Sequence, residues 1–263
     1  MTGRFYTTQL QAGLSMQAET ETLFNLWHPG MDTMQLYDTA LASGCFPNVT
    51  ARRLRNIVAE CFAPRYLRNN AQPAILIKSL SSTLSKREIQ QLLFLYTARA
   101  NPILADFVRE VYWRAYAGGR HELTNEEAKY FVENATSSGQ TKKRWSDSTV
   151  RRVSAYLTGC CSEFDLLERG SQGIRRILPF RIDTQVAALL AYDLHFCGIS
   201  DNSIAAHEDW GLFGMDRSEV IAELRRVSLK GLLVIQTAID VIKISWPHKT
   251  IEEVGNALVK RRL

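Results

Sequence analysis

The sequence has little that could staple, tether or metallate a fold. Its five cysteines (Cys45, Cys61, Cys160, Cys161, Cys197) are odd in number and the only close pair is directly adjacent, so they do not spell a disulfide framework. Reduced core thiols are the expectation. None of the five histidines stands at ligand spacing from a cysteine or another histidine, which leaves zinc without a site and makes no metal or other cofactor the expectation. No run of 18 uninterrupted apolar residues occurs, and Met1 to Gly13 has no apolar core of the kind a signal peptide carries. A cytoplasmic protein without a membrane partner is expected.

Recognisable catalytic apparatus is missing as well. There is no glycine-rich phosphate loop and no dinucleotide fingerprint, nor a nucleophile spaced from a base. Glu126-Glu127 and Glu252-Glu253 are adjacent acids in first helical turns, where the helix dipole accounts for them. Adjacent helical residues do not face one another, so neither pair forms a catalytic dyad. A non-enzymatic role follows as the expectation.

What is present is a modest excess of positive charge, unevenly spread. The chain of 263 residues carries 32 Lys and Arg against 27 Asp and Glu, with a pI near 9.0. Residues 1–120 hold 13 basic and 8 acidic residues, residues 121–182 hold 10 and 8, and residues 183–263 hold 9 and 11. Within 140–182 the imbalance is sharper, nine basic residues against four acidic ones. An anionic partner is favoured, and duplex DNA is the first candidate.

Capping residues and prolines divide the first 120 positions into helices. Asp32 and Thr50 read as N-caps, and Ser85-Lys86-Arg87-Glu88 as a capping box. Asn101-Pro102 supplies a cap and a first-turn proline, and Gly118-Gly119 ends that helix. Leu54, Ile57, Val58 and Cys61 share one helical face until Pro64, which should interrupt it. The region 1–120 is therefore expected to be a helical bundle.

From Thr124 a different order begins. Thr124-Asn125-Glu126-Glu127 opens one helix, the basic link Lys142-Lys143-Arg144 leads into another starting near Ser146, and apolar runs on either side of Gly170 to Gly173 suggest a hairpin over 166–178. Helix, link, helix, hairpin is the order of a winged helix-turn-helix. It recurs over 183–263: Asp183 and Ser200 as caps, a helix opened by Asp216 to Glu219, a hairpin over 232–246 and a last helix from Thr250 to Val259. The expected architecture is mainly α, with three parts at 1–120, 121–182 and 183–263 packed without low-complexity linkers.

Candidate binding residues follow from helical geometry. With Val150, Val153 and Leu157 inward, Ser148, Arg152 and Ala155 fall on the opposite face, flanked by Thr149 and Arg151. Arginine bridges a guanine edge or a phosphate, and hydroxyls reach either. Lys142, Lys143 and Arg144 precede this helix, and Arg175 and Arg176 on the wing could hold phosphates. A merely solvated basic face is the plainer reading. In the second module Ser218, Ala222, Arg225 and Arg226 face outward beside Glu219, which favours a protein contact or a structural role there. A separate strip, Arg52, Arg53 and Arg55 with Arg65 and Arg68, could extend a nucleic-acid track or meet an acidic partner.

Three segments carry a resemblance. Tyr6-Thr7-Thr8-Gln9-Leu10-Gln11-Ala12-Gly13, Asn101-Pro102-Ile103-Leu104-Ala105-Asp106-Phe107-Val108 and Ile244-Ser245-Trp246-Pro247 resemble the BrxA family, accessory proteins of BREX phage-exclusion systems. The resemblance implies a largely helical protein with helix-turn-helix elements and DNA affinity, serving phage defence beside other BREX components. It brings no catalytic residue. An assembly adaptor that binds proteins rather than DNA is the competing expectation. Two linked modules need no dimer for a bipartite contact, so a monomer fits the sequence.

Overall fold

The computed structural model describes residues 5–9, 16–170, 173–239 and 241–260. Leu10 to Gly13 of the first resembling segment, Ser171 and Gln172 of the first expected turn, and Asp240 of the second lie outside them. The described chain is mainly helical, with two small antiparallel sheets of two strands each. In chain order it runs α1 (Gln17–Leu26), α2 (Thr33–Ala42), α3 (Ala51–Asn56), α4 (Ala63–Tyr66), α5 (Arg68–Leu80), α6 (Lys86–Ala100), α7 (Pro102–Phe107), α8 (Trp113–Ala117), β1 (Glu122–Thr124), α9 (Asn125–Ser137) and α10 (Asp147–Glu163). It continues with β2 (Ile174–Arg176), α11 (Thr184–Phe196), α12 (Asp201–Ala205), α13 (Arg217–Leu229), β3 (Val234–Ala238), β4 (Val241–Ser245) and α14 (Ile251–Lys260).

Local chemistry sets most boundaries. Asp32, Thr124 and Asp216 form reciprocal capping boxes with Gln35, Glu127 and Glu219. Ser85 and Glu88 make the same exchange, the glutamate accepting from the Ser85 N–H at 2.7 Å. Three expected caps do not form. Asn101 turns its amide back to the Thr97 carbonyl at 2.8 Å, Asp183 pairs with Arg87 at 3.1 Å without bonding its own helix, and Ser200 turns its hydroxyl to that of Ser203 at 2.9 Å.

The expectation that Pro64 stops its helix is overturned. Residues Ile57–Phe62 form a π-helical turn, and α4 follows with Pro64 in its first turn. A wider turn relieves the proline, which can neither donate an N–H nor fit its ring against an ordinary preceding turn. Val108–Tyr112 is a second such turn, joining α7 to α8. The true break comes later, where Asn69, Asn70 and Ala71 are all left-handed.

The chain clusters into two compact units that do not follow the three expected segments. One comprises Met1–Ile75 with Tyr96–Pro179, and the other Leu76–Leu95 with Phe180–Leu263. Residues 1–120 thus do not form a unit of their own. In the first unit Phe24, Phe62 and Tyr66 make an aromatic cluster with ring centroids 4.9 to 5.1 Å apart. Phe131 of α9 packs on Phe107 and Tyr6. In the second, Phe94 meets Phe180 and Phe213 edge-on, and the Gln91 amide donates to the Arg181 carbonyl at 2.7 Å.

The cysteine expectation holds for three of five. Cys61, Cys160 and Cys161 are buried, whereas Cys45 and Cys197 are exposed; all are free. Burial pushes the Cys160 thiol up to about 12 and Cys161 well above its ordinary value, so neither is a ready thiolate at neutral pH.

Candidate nucleic-acid interface

The first unit holds the expected binding helix, and its orientation is set by what α10 buries. Val150, Val153, Leu157, Cys160 and Cys161 are all buried, and α10 packs chiefly along α9, which contributes Ala128, Val132 and Ala135. The Thr158 hydroxyl donates to Asn125 Oδ1 at 2.7 Å, fixing α10 against the start of α9. Ser148, Arg151, Arg152 and Ala155 are consequently exposed, and Thr149 is half-buried. The sequence placed these faces correctly.

The start of α10 is polar and open. The Ser146 side chain accepts from the Thr149 N–H, and its oxygen lies 3.0 Å from both the Ser148 and the Thr149 hydroxyl. Lys142, Lys143 and Arg144 are exposed just before it. This link is anchored at Thr141, which bridges in parallel to Tyr6 and is itself buried. The Tyr6 hydroxyl donates to Asp106 at 2.7 Å, and burial raises its pKa further.

The expected hairpin over 166–178 has a different construction. The named strand β2 pairs with β1, through Glu122↔Arg176, Leu123↔Arg175 and Thr124↔Ile174. On the side toward 166–168 there is a single bridge, Leu167↔Ile177, with the Glu168 N–H donating to the Arg176 carbonyl at 2.8 Å. The β1 segment, too short to show a period in sequence, is the partner that pattern reasoning missed. Tyr112 secures the end of the segment by donating to the Leu178 carbonyl at 2.7 Å, and burial raises its pKa.

This pairing separates Arg175 from Arg176. Consecutive strand residues point to opposite faces, and here Arg176 is exposed while Arg175 is half-buried and donates to the Glu168 carbonyl at 3.3 Å. The two arginines therefore do not present as one pair. The separate strip is thinner than expected too. Arg52, Arg53 and Arg55 are exposed on α3 and Arg68 is exposed, but Arg65 is buried at 4% exposure.

Among the described residues, Lys142, Lys143, Arg144, Arg151, Arg152 and Arg176 have no acidic ion-pair partner. The second unit contrasts with this. Arg226 pairs at 2.6 Å with Glu223, which also accepts from Thr184 at 2.7 Å, and Arg225 donates to Thr237 at 2.8 Å. Arg225 and Arg226 of α13 are already occupied.

Residues 4–193 match the BrxA family. The chain belongs to that family. BrxA membership makes it a BREX-associated protein, in the setting of antiviral defence. The matched span contains α10, the basic link and β2, and ends within α11. No curated protein matches the chain. Among solved structures, an uncharacterized protein from Magnetospirillum magneticum aligns with a TM-score of 0.57 at 16% identity, covering 73% of this chain and 94% of its own. That likeness concerns the fold.

Proposed function

We propose that this BrxA-family chain is a non-enzymatic accessory subunit that binds double-stranded DNA, mainly through phosphates. On this reading α9 and α10 act as a helix-turn-helix, with β2 and its flanks as the wing, and the exposed face of α10 enters the major groove. The observation that carries it is the set of exposed cations without acidic partners on and before α10. Arginines held only by solvent are available to a phosphate, because no ion pair has to be broken first. Ser148 and Thr149 add hydroxyls that can take phosphate or base-edge contacts. Arg152 stands where a guanine edge would be read.

Mobility-shift titration of a duplex at two salt concentrations tests the proposal. Tight binding at low salt that falls with added salt is the expected result. Changing Arg151, Arg152 and Arg176 together to Ala should flatten the log-affinity against log-salt slope by roughly 2 to 3, at about 0.9 per lost phosphate contact. Absence of binding to duplex at low salt would leave the protein-binding adaptor as the reading.

A further inference from the structure

In the second unit, the two edges of the β3–β4 hairpin are treated differently. On β4 the Ile242 N–H donates to Asn202 Oδ1 and the Ile244 N–H to Asp201 Oδ2, each at 2.8 Å. Both N–H groups therefore point away from β3. By antiparallel alternation, the residues opposite them, Thr237 and Ile235, turn their own N–H and C=O groups away from β4. Side chains from the first turn of α12 thus close the β4 edge. Among the described residues, no hydrogen bond reaches the outward N–H groups of Ile235 and Thr237.

Edges of this kind are ordinarily blunted by a charge, a proline or a bulge. The strand Val234-Ile235-Gln236-Thr237-Ala238 has none of these. Four of its five residues are exposed, and Val234 remains 50% exposed. We propose that β3 pairs with β3 of a second copy of this chain, in antiparallel register about Gln236. In that register the Ile235 N–H donates to the partner's Thr237 carbonyl, and the partner's Thr237 N–H donates to the Ile235 carbonyl. The symmetric pair completes the exchange, so every free group on the edge is used.

Self-pairing is favoured over a charged partner strand by the strand's own chemistry. The strand's own residues bring no like charges together in the register, Val234 lies over the partner's Ala238, and Gln236 meets its own equivalent as a non-hydrogen-bonded pair. Such isologous closure uses the same patch on both copies and cannot propagate. The inference concerns the second unit alone and does not rest on DNA binding.

Disulfide trapping in the full-length chain tests it, with the exposed Cys45 and Cys197 changed to Ser. Directly opposite residues of a non-hydrogen-bonded pair stand about 4.5 Å apart at Cα, within disulfide reach. Gln236→Cys should therefore give a covalent dimer under mild oxidation. Lys243→Cys, on the same face but one strand further out in each copy, should not, since each strand adds about 4.8 Å. Thr237→Pro removes one outward donor per copy while sparing the hairpin ladder, and should weaken association measured by sedimentation roughly tenfold or more. No dimer at Gln236→Cys, or equal trapping at both positions, would overturn the proposal. The trapping comparison stands even if the proline variant fails to fold.

Discussion

Glu127 shows how one side chain can serve two purposes. It completes the capping box of α9 by accepting from the Thr124 N–H at 2.9 Å, and it also receives a bidentate grip from Arg120. The Arg120 guanidinium is the main reason its carboxyl is held down at about 2, with the Thr124 hydrogen bonds assisting. A carboxylate held below its ordinary range stabilises the fold above the unfolded value of about 4.3, and loses that contribution as pH falls toward 2. Glu127→Gln keeps an acceptor for the cap but removes the charge. It should cost about 1 kcal/mol at pH 7, a modest figure because the arginine is 48% exposed and water screens the pair. Thermal melts should show the difference from the natural protein shrinking between pH 4.5 and 2. A difference independent of pH would assign the effect to packing. Thr124→Ala should cost about 1 kcal/mol at pH 7, the usual worth of an N-cap hydroxyl, and part of that cost should fade on the same acid limb because the hydroxyl also donates to the Glu127 carboxylate at 3.0 Å.

At the scale of elements, what could be read from sequence is what depends on near neighbours. The caps at Asp32, Thr50, Ser85, Thr124, Ser146 and Asp216 were legible because side chain and amide lie three residues apart. The inward stripe of α10 was legible because helical period is a local property. The partner of β2 was not, since β1 is three residues long and sits some 50 positions earlier, where no periodicity can be counted. That one pairing decides which way Arg175 and Arg176 point, so part of the candidate site was hidden with it. Pro64 misled for a related reason: a π-turn absorbs a proline only when the buried contacts of Ile57, Val58, Cys61 and Phe62 hold the wider helix in place. The geometry now distinguishes residues that the sequence treated alike. Arg175→Ala should change the salt slope of duplex binding less than Arg152→Ala, because Arg175 is committed to the Glu168 carbonyl. Arg225→Ala with Arg226→Ala should change it least, as both side chains have partners in the second unit. Equal slopes for all of these variants would detach α10 from any DNA contact.

For the whole molecule, the consequence lies in how each unit is assembled from distant stretches of chain. Residues 1–120 look separable in sequence, being a run of capped helices that ends at paired glycines. Their burial says otherwise. In the first unit Phe107 packs on Phe131, and Tyr112 donates to the Leu178 carbonyl. In the second, Phe94 packs on Phe180 and Phe213, and Leu80 lies against Gly255 so closely that a Cβ there would stand 2.8 Å from its methyl. A chain cut after residue 120 would uncover Phe94, Phe107 and Tyr112, each fully buried now. At about 1.5 to 3 kcal/mol for each large apolar side chain, that is a loss of roughly 5 to 9 kcal/mol. Typical domains have only about 5 to 15 kcal/mol in total. The isolated segment 1–120 should therefore lack a cooperative urea transition and bind a hydrophobic dye, although its helices retain far-ultraviolet dichroism. The full chain should unfold cooperatively under the same conditions. A sharp transition in the isolated segment, with dispersed amide resonances, would restore the autonomous bundle.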